Sequence, residues 1–271
     1  MSNRINLLLF VAYLAAVAAY AQSAREVRGA AAVEPLENEP RAKIVIDPPL
    51  AAPLSHGRVV IQYRTENLHM APVFGSAALA VSPRVGHIHV SVDDASWVWV
   101  DASGEPVILN GLPPGPHKVL IQLENANHQL LDQGTVRFAV PESPIRSSAA
   151  SQTPKEESKE TQAKLIINKP LAEPLSRGVI FLPYRAENLQ ILPVFGAAAL
   201  AVSPRVGHIH VTVDDAAWHW ADASGVPIII NGLAPGRHKI LVQLVNANHQ
   251  PIDQGLVEVT VPDTDSHHTA Q

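Results

Sequence analysis

The chain has 271 residues, 46% of them hydrophobic and 17% charged, which is long enough for about two domains of roughly 100–150 residues each. A formal net charge of -5 provides no basic field for nucleic acid or an anionic membrane surface. With no cysteine and two methionines, disulfides, thiolate metal sites, a cysteine nucleophile and a thioether copper site are excluded.

The N-terminus reads as an export signal. Arg4 supplies a positive charge, Ile5 to Ala19 is almost wholly apolar, and Ala19-Tyr20-Ala21 offers small residues where a signal peptidase reads. Cleavage is expected after Ala21, which leaves no membrane span and places the mature chain in the periplasm or outside the cell. Gln22 to Arg41 reads as a disordered leader.

Beyond the leader the chain repeats itself. Ala77–Val90 and Ala198–Val211 are both AALAVSPRVGHIHV, 121 residues apart. The same offset relates Leu50 to Leu171, Tyr63-Arg64 to Tyr184-Arg185, Asn110-Gly111 to Asn231-Gly232 and His128 to His249. The repeat spans 42–141 and again 163–262. Between them lies 142–162, rich in Ser, Pro, Lys and Glu, which buries too little apolar surface to offset its ordering entropy and reads as a disordered linker. Residues 263–271, with His267-His268, read as a disordered tail.

Within one repeat, short β-rich runs alternate with turn signals. In the first copy strands are expected over Lys43–Ile46, Arg58–Tyr63, Leu79–Val81, His87–Val92, Trp97–Val100, Val107–Leu109, His117–Leu123 and Thr135–Val140. Turns are expected at Asp93-Asp94, Ala102 to Gly104, Asn110 to Gly115 and Asn125 to Asn127. Seven or eight strands at this spacing predict an all-β chain of two tandem immunoglobulin-like β-sandwich domains. Leu112-Pro113-Pro114-Gly115-Pro116-His117 has the form of a tyrosine corner, with His117 (His238 in the second copy) in the place of the tyrosine. That histidine is expected to bond back to the backbone.

Histidine is the residue that could carry chemistry, with 13 in the chain. His87 and His89 alternate along a strand and so share one face, opposite Ile88, Val90 and Val92. If that strand pairs antiparallel with His117–Leu123, the end of the latter brings His128 beside His87 and His89. Three imidazoles with an open position suit Zn(II) or Cu(II). The second copy repeats the set as His208, His210 and His249. Asp132 is a candidate fourth ligand or outer-shell acceptor.

Other candidates have plainer explanations. Trp97 and Trp99, with Trp218 and Trp220, could form an aromatic platform but fit inter-sheet packing better. Asp93-Asp94 and Asp214-Asp215 are expected in turns rather than in acid–base work. Where the copies differ (His56 and Arg177, His69 and Gln190, Val98 and His219), a solvated position is expected. No phosphate-binding glycine loop, nucleophile elbow or His-Glu-x-x-His pattern is present.

Both repeats resemble a bacterial family of exported proteins known as a domain of unknown function. The resemblance rests on GHIHVSVDD from Gly86 and WVWVDASGEPVILNGLPPGPHKV from Trp97. In the second copy it rests on GHIHVTVDD from Gly207, WHWADASG from Trp218 and NANHQ from Asn246. It implies a small secreted all-β domain with no assigned activity, here duplicated. The leading expectation is a non-enzymatic periplasmic metal-binding protein with one Zn(II) or Cu(II) per domain. The alternatives are a module binding a protein or small-molecule ligand, its histidines structural, and a metal-dependent enzyme using the open position.

Overall fold

The structure is a computed structural model that describes residues 40–82, 84–142, 162–196, 199–200 and 203–263. The expected export signal, and all but the end residues of the expected leader, linker and tail, lie outside the described residues. Among the described residues no helix is long and apolar enough to cross a membrane.

The fold is all-β, two tandem immunoglobulin-like units. The first copy contains β1 (Lys43–Ile46), β2 (Arg58–Ile61), β3 (Tyr63–Glu66), β4 (His69–Met70), β5 (Val85–Val92), β6 (Val98–Asp101), β7 (Val107–Asn110), β8 (Gly115–Asn125) and β9 (Leu130–Val140). The second contains β10 (Lys164–Ile167), β11 (Val179–Leu182), β12 (Tyr184–Glu187), β13 (Gln190–Ile191), β14 (Val206–Val213), β15 (His219–Asp222), β16 (Ile228–Asn231), β17 (Gly236–Asn246) and β18 (Pro251–Val261). The strand expected at Leu79–Val81 is instead part of a short helix, Ser76–Val81. Its Ala-Ala-Leu-Ala composition favours helix, and no β-branched alternation opposes it. The run expected at Arg58–Tyr63 divides into two strands, β3 turning aside to pair with β1.

The two copies do not sit as separate beads. One seven-stranded sheet runs β11-β16-β6-β5-β8-β9, with β4 parallel to β5; the other runs β2-β7-β15-β14-β17-β18, with β13 parallel to β14. Each sheet therefore holds most of one copy and two strands of the other. The seams are β6 against β16 and β15 against β7. Both β6 and β15 would be open edges in an isolated unit, and an unpaired edge is a template for further pairing. Here each copy closes the edge of the other.

Alternation along β5 sends Ile88, Val90 and Val92 inward, and β8 answers with Val119, Ile121 and Leu123; all six are buried. Across the sheets Trp99 stacks on Trp220 with ring centroids 5.0 Å apart, and Trp97 on Trp218 at 5.7 Å. The tryptophans thus pack between sheets, where β6 and β15 cross. One hydrophobic cluster draws buried residues from both copies. Close backbone approach marks the seams: a Cβ on Gly111 would lie 2.4 Å from the Ala217 carbonyl oxygen, and one on Gly232 2.6 Å from that of Ser96.

The corner histidine behaves as expected. His117 Nε2 donates to the Pro113 carbonyl and Nδ1 to Asp93 Oδ2, both at 2.7 Å. Donation from both nitrogens requires the imidazolium. Burial opposes that charge, but Asp93 and the Pro113 carbonyl outweigh it, and the His117 pKa is raised. Asp93-Asp94 forms a turn with both residues at positive φ, and Asp93 also accepts the Lys118 N–H. His238 and Asp214 repeat the arrangement.

Candidate metal centre

The site begins with a strand pairing. β5 runs antiparallel to β8 in the register Gly86↔Asn125, His87↔Glu124 and His89↔Gln122. His87 and His89 therefore lie on the face opposite the core strand residues and are buried there, 0% and 5% exposed. The β8–β9 register shifts between Leu123 and Glu124, and the chain turns at Asn125. Asn125 Oδ1 accepts the N–H groups of Asn127 and Gln129, and Asn125 Nδ2 donates to Gln129 Oε1. This turn holds His128 at φ 57° and swings its ring back over the start of β5. The NANHQ motif is thus the device that delivers the third imidazole.

Gly86 makes the approach possible. A Cβ there would meet the Glu124 carbonyl oxygen at 2.0 Å, and Gly207 would meet that of Val245 at 2.1 Å. Gly86→Ala is expected to lower stability by on the order of 1–3 kcal/mol through overpacking. It should also separate the histidines. Urea unfolding checks the first effect, and loss of metal affinity in excess of the stability loss checks the second.

The three imidazoles converge. His128 Nδ1 lies 3.2 Å from His87 Nε2 and 3.2 Å from His89 Nε2. Glu124 Oε2 approaches His89 Nε2 at 3.3 Å and His128 Nδ1 at 3.6 Å. In the second copy the triangle is complete: His208 Nε2 to His210 Nε2 is 3.1 Å, His208 Nε2 to His249 Nδ1 is 3.2 Å, and His210 Nε2 to His249 Nδ1 is 3.0 Å. Ligands ~2.1 Å from a tetrahedral ion stand ~3.4 Å from one another. The separations in both copies match those edges closely. Both clusters have the residue types and convergence needed to hold a metal ion.

Electrostatics sets the protonation of the rings. Burial first, then the neighbouring rings His89 and His128, hold the His87 pKa down to about 3. Burial lowers His89 to about 4 despite the opposing Glu124 carboxylate. Burial and surrounding charges bring His208 to about 3, His210 to about 2 and His249 to about 4. His87, His89, His208, His210 and His249 are therefore neutral at pH 7, the form that binds metal. His87 Nδ1, His208 Nδ1 and His249 Nε2 have no hydrogen-bond partner among the described residues.

All six histidines singled out in the sequence are thus brought together, three in each copy. Asp132 is not at the site. Its Oδ2 accepts the Ile44 N–H at 2.9 Å, tying β1 to β9, because β9 alternation points it away from the histidines. The carboxylate that joins the cluster is Glu124, which sequence reasoning missed; its pairing with His87 was the available signal. Phe74 was also missed. Its ring lies 5.0 Å from that of His87 and stacks on His128 at 6.2 Å, as Phe195 does in the second copy. Nor is His219 solvated: its ring stacks on His210 at 4.3 Å, and its Nε2 is buried.

A model of a family of unknown function (DUF6130) matches residues 8–153 and again 146–271. No curated protein matches. Among solved structures, a tetra-tandem repeat from the extending region of a large adhesion protein is similar at 10% identity and a TM-score of 0.24, covering 82% of this chain and 49% of that one. Fibronectin(III)-like modules of Clostridium thermocellum CbhA are similar at 11% identity and a TM-score of 0.25, covering 84% of this chain and 98% of theirs. The chain spans about half the length of the adhesion repeat structure it matches.

Proposed function

Since the chain belongs to that family of unknown function, its chemistry has to come from its own residues, and we propose that it is an exported, non-enzymatic metal-binding protein. Each copy holds one Zn(II) or Cu(II), through His87, His89 and His128 and through His208, His210 and His249. The observation that carries the reading is the convergence of three neutral imidazole nitrogens, from buried His208 and His210 and half-buried His249, to within 3.0–3.2 Å of one another in the second copy. Three lone-pair or N–H vectors aimed at one point cannot all be satisfied by one another. An ion at that point satisfies them together.

The competing reading makes the protein a module for a protein or small-molecule ligand, its histidines packing only. Calorimetric titration of residues 22–271 with Zn(II) and with Cu(II) separates the two. The expected result is two sites of about micromolar affinity or better. Both should be lost in the variant combining His87→Ala, His89→Ala, His208→Ala and His210→Ala. Absent binding, or binding unchanged in the variant, rejects the metal reading.

A further inference from the structure

We infer that the two metal sites have diverged, the first closed by Glu124 and the second open to a small monoanion that binds beside the ion. The inference rests on the metal-binding reading above and concerns what completes each coordination shell.

In the first copy Glu124 Oε2 stands with the three imidazoles as a fourth ligand atom. The equivalent residue in the second copy is Val245, fully buried and without a donor. The second site gains positive charge instead. Along its sheet, Arg58, Asn110 and His219 form one cross-strand row. Directly opposed residues of antiparallel strands share a face. The alternate row of Val59, Leu109 and Trp220 is buried in the core, so Arg58, Asn110 and His219 lie on the histidine side. The matching row beside the first site is Val179, Asn231 and Val98, which carries no charge.

His219 is not a fourth ligand. Its ring lies nearly parallel to His210, 29° between planes, so their in-plane lone pairs run side by side and do not converge. Its Nε2 and the Asn110 Nδ2 are both buried without a partner among the described residues. A dication held by three neutral imidazoles keeps both its charges, and Arg58 adds a third. Such an excess is costly away from water unless an anion enters. At the first site Glu124 already supplies that negative charge. The seam makes this asymmetry possible, since Arg58 belongs to the first copy and serves the site of the second.

The test uses the full mature chain loaded with cobalt(II), whose visible spectrum reports coordination, and azide as the anion. His87→Ala with His89→Ala leaves the second site; His208→Ala with His210→Ala leaves the first. Azide is expected to change the spectrum of the second site with saturation and to leave the first unchanged. Arg58→Met should weaken azide roughly tenfold at the second site, and Val245→Glu should abolish its effect. Glu124→Val should make the first site responsive. Equal responses at both sites, or an azide affinity indifferent to Arg58→Met, would overturn this inference while leaving metal binding intact. Failure of either single-site protein to take up cobalt would reject the metal reading itself, and this inference with it.

Discussion

A single copy produced alone, residues 22–141, is expected to run as a homodimer and not as a monomer. In the full chain β6 pairs with β16 and β7 with β15, so one copy by itself leaves two strand edges unpaired. It also uncovers Trp99, only 3% exposed in the full chain, and the partner face of Trp97. Each tryptophan represents roughly 150–250 Å² of surface, worth several kcal/mol at ~25 cal/mol per Å². Two identical copies restore both seams, because the pseudo-symmetric contacts are made by equivalent residues. Sedimentation equilibrium gives the mass. A monomeric fragment that keeps native β-sheet circular dichroism would show that the seams contribute little and that the copies fold independently.

The metal-free protein is expected to lose stability steeply as pH falls below about 6.5. His87 and His208 are fully buried, with pKa values held to about 3 in the fold against an ordinary value of 6.5. Between those limits the unfolded chain binds more protons than the folded one, so acid favours unfolding. Each fully shifted ring costs about 1.4 kcal/mol per pH unit across that window, or ~3 kcal/mol by pH 4.5. Total stability is typically ~5–15 kcal/mol, so one such ring per copy is a large share. Asp101 opposes the trend. Burial and the nearby Asp222 push its carboxyl up to about 6, which favours the fold as acid protonates it. His117 and His238, with raised pKa values, also favour the protonated fold near neutrality. These are outnumbered by the lowered rings of the two clusters. Urea midpoints should therefore fall between pH 6.5 and 4.5, and saturating Zn(II) should raise the midpoint at pH 7 but progressively less toward pH 5, as protons compete for its ligands. A flat profile would mean that the clusters are hydrated and their pKa values ordinary.

The sequence by itself determined the duplication, the all-β class and most strands, because alternation and turn residues act locally. Ile88, Val90 and Val92 against His87 and His89 assigned the two faces of β5 without any knowledge of neighbours. The corner histidine was legible for the same reason, since its partner Pro113 lies four residues away. The three-histidine cluster was accessible through one assumption, the antiparallel pairing of β5 with β8.

Tertiary structure decided the rest. Glu124 joins the first site only because the β5–β8 register sets it opposite His87, and Asp132 leaves it because β9 turns that side chain toward β1. The strand expected at Leu79–Val81 gives way to the helix Ser76–Val81 because so short an apolar run has no distinguishing period. The seams were invisible because no local pattern in β6 or β16 names its partner. His219 was expected in solvent because the copies differ there, yet it lies against His210. Two copies that share their sheets meet across seams that neither copy encodes alone, so what surrounds Val98 or His219 could not be read from either repeat by itself.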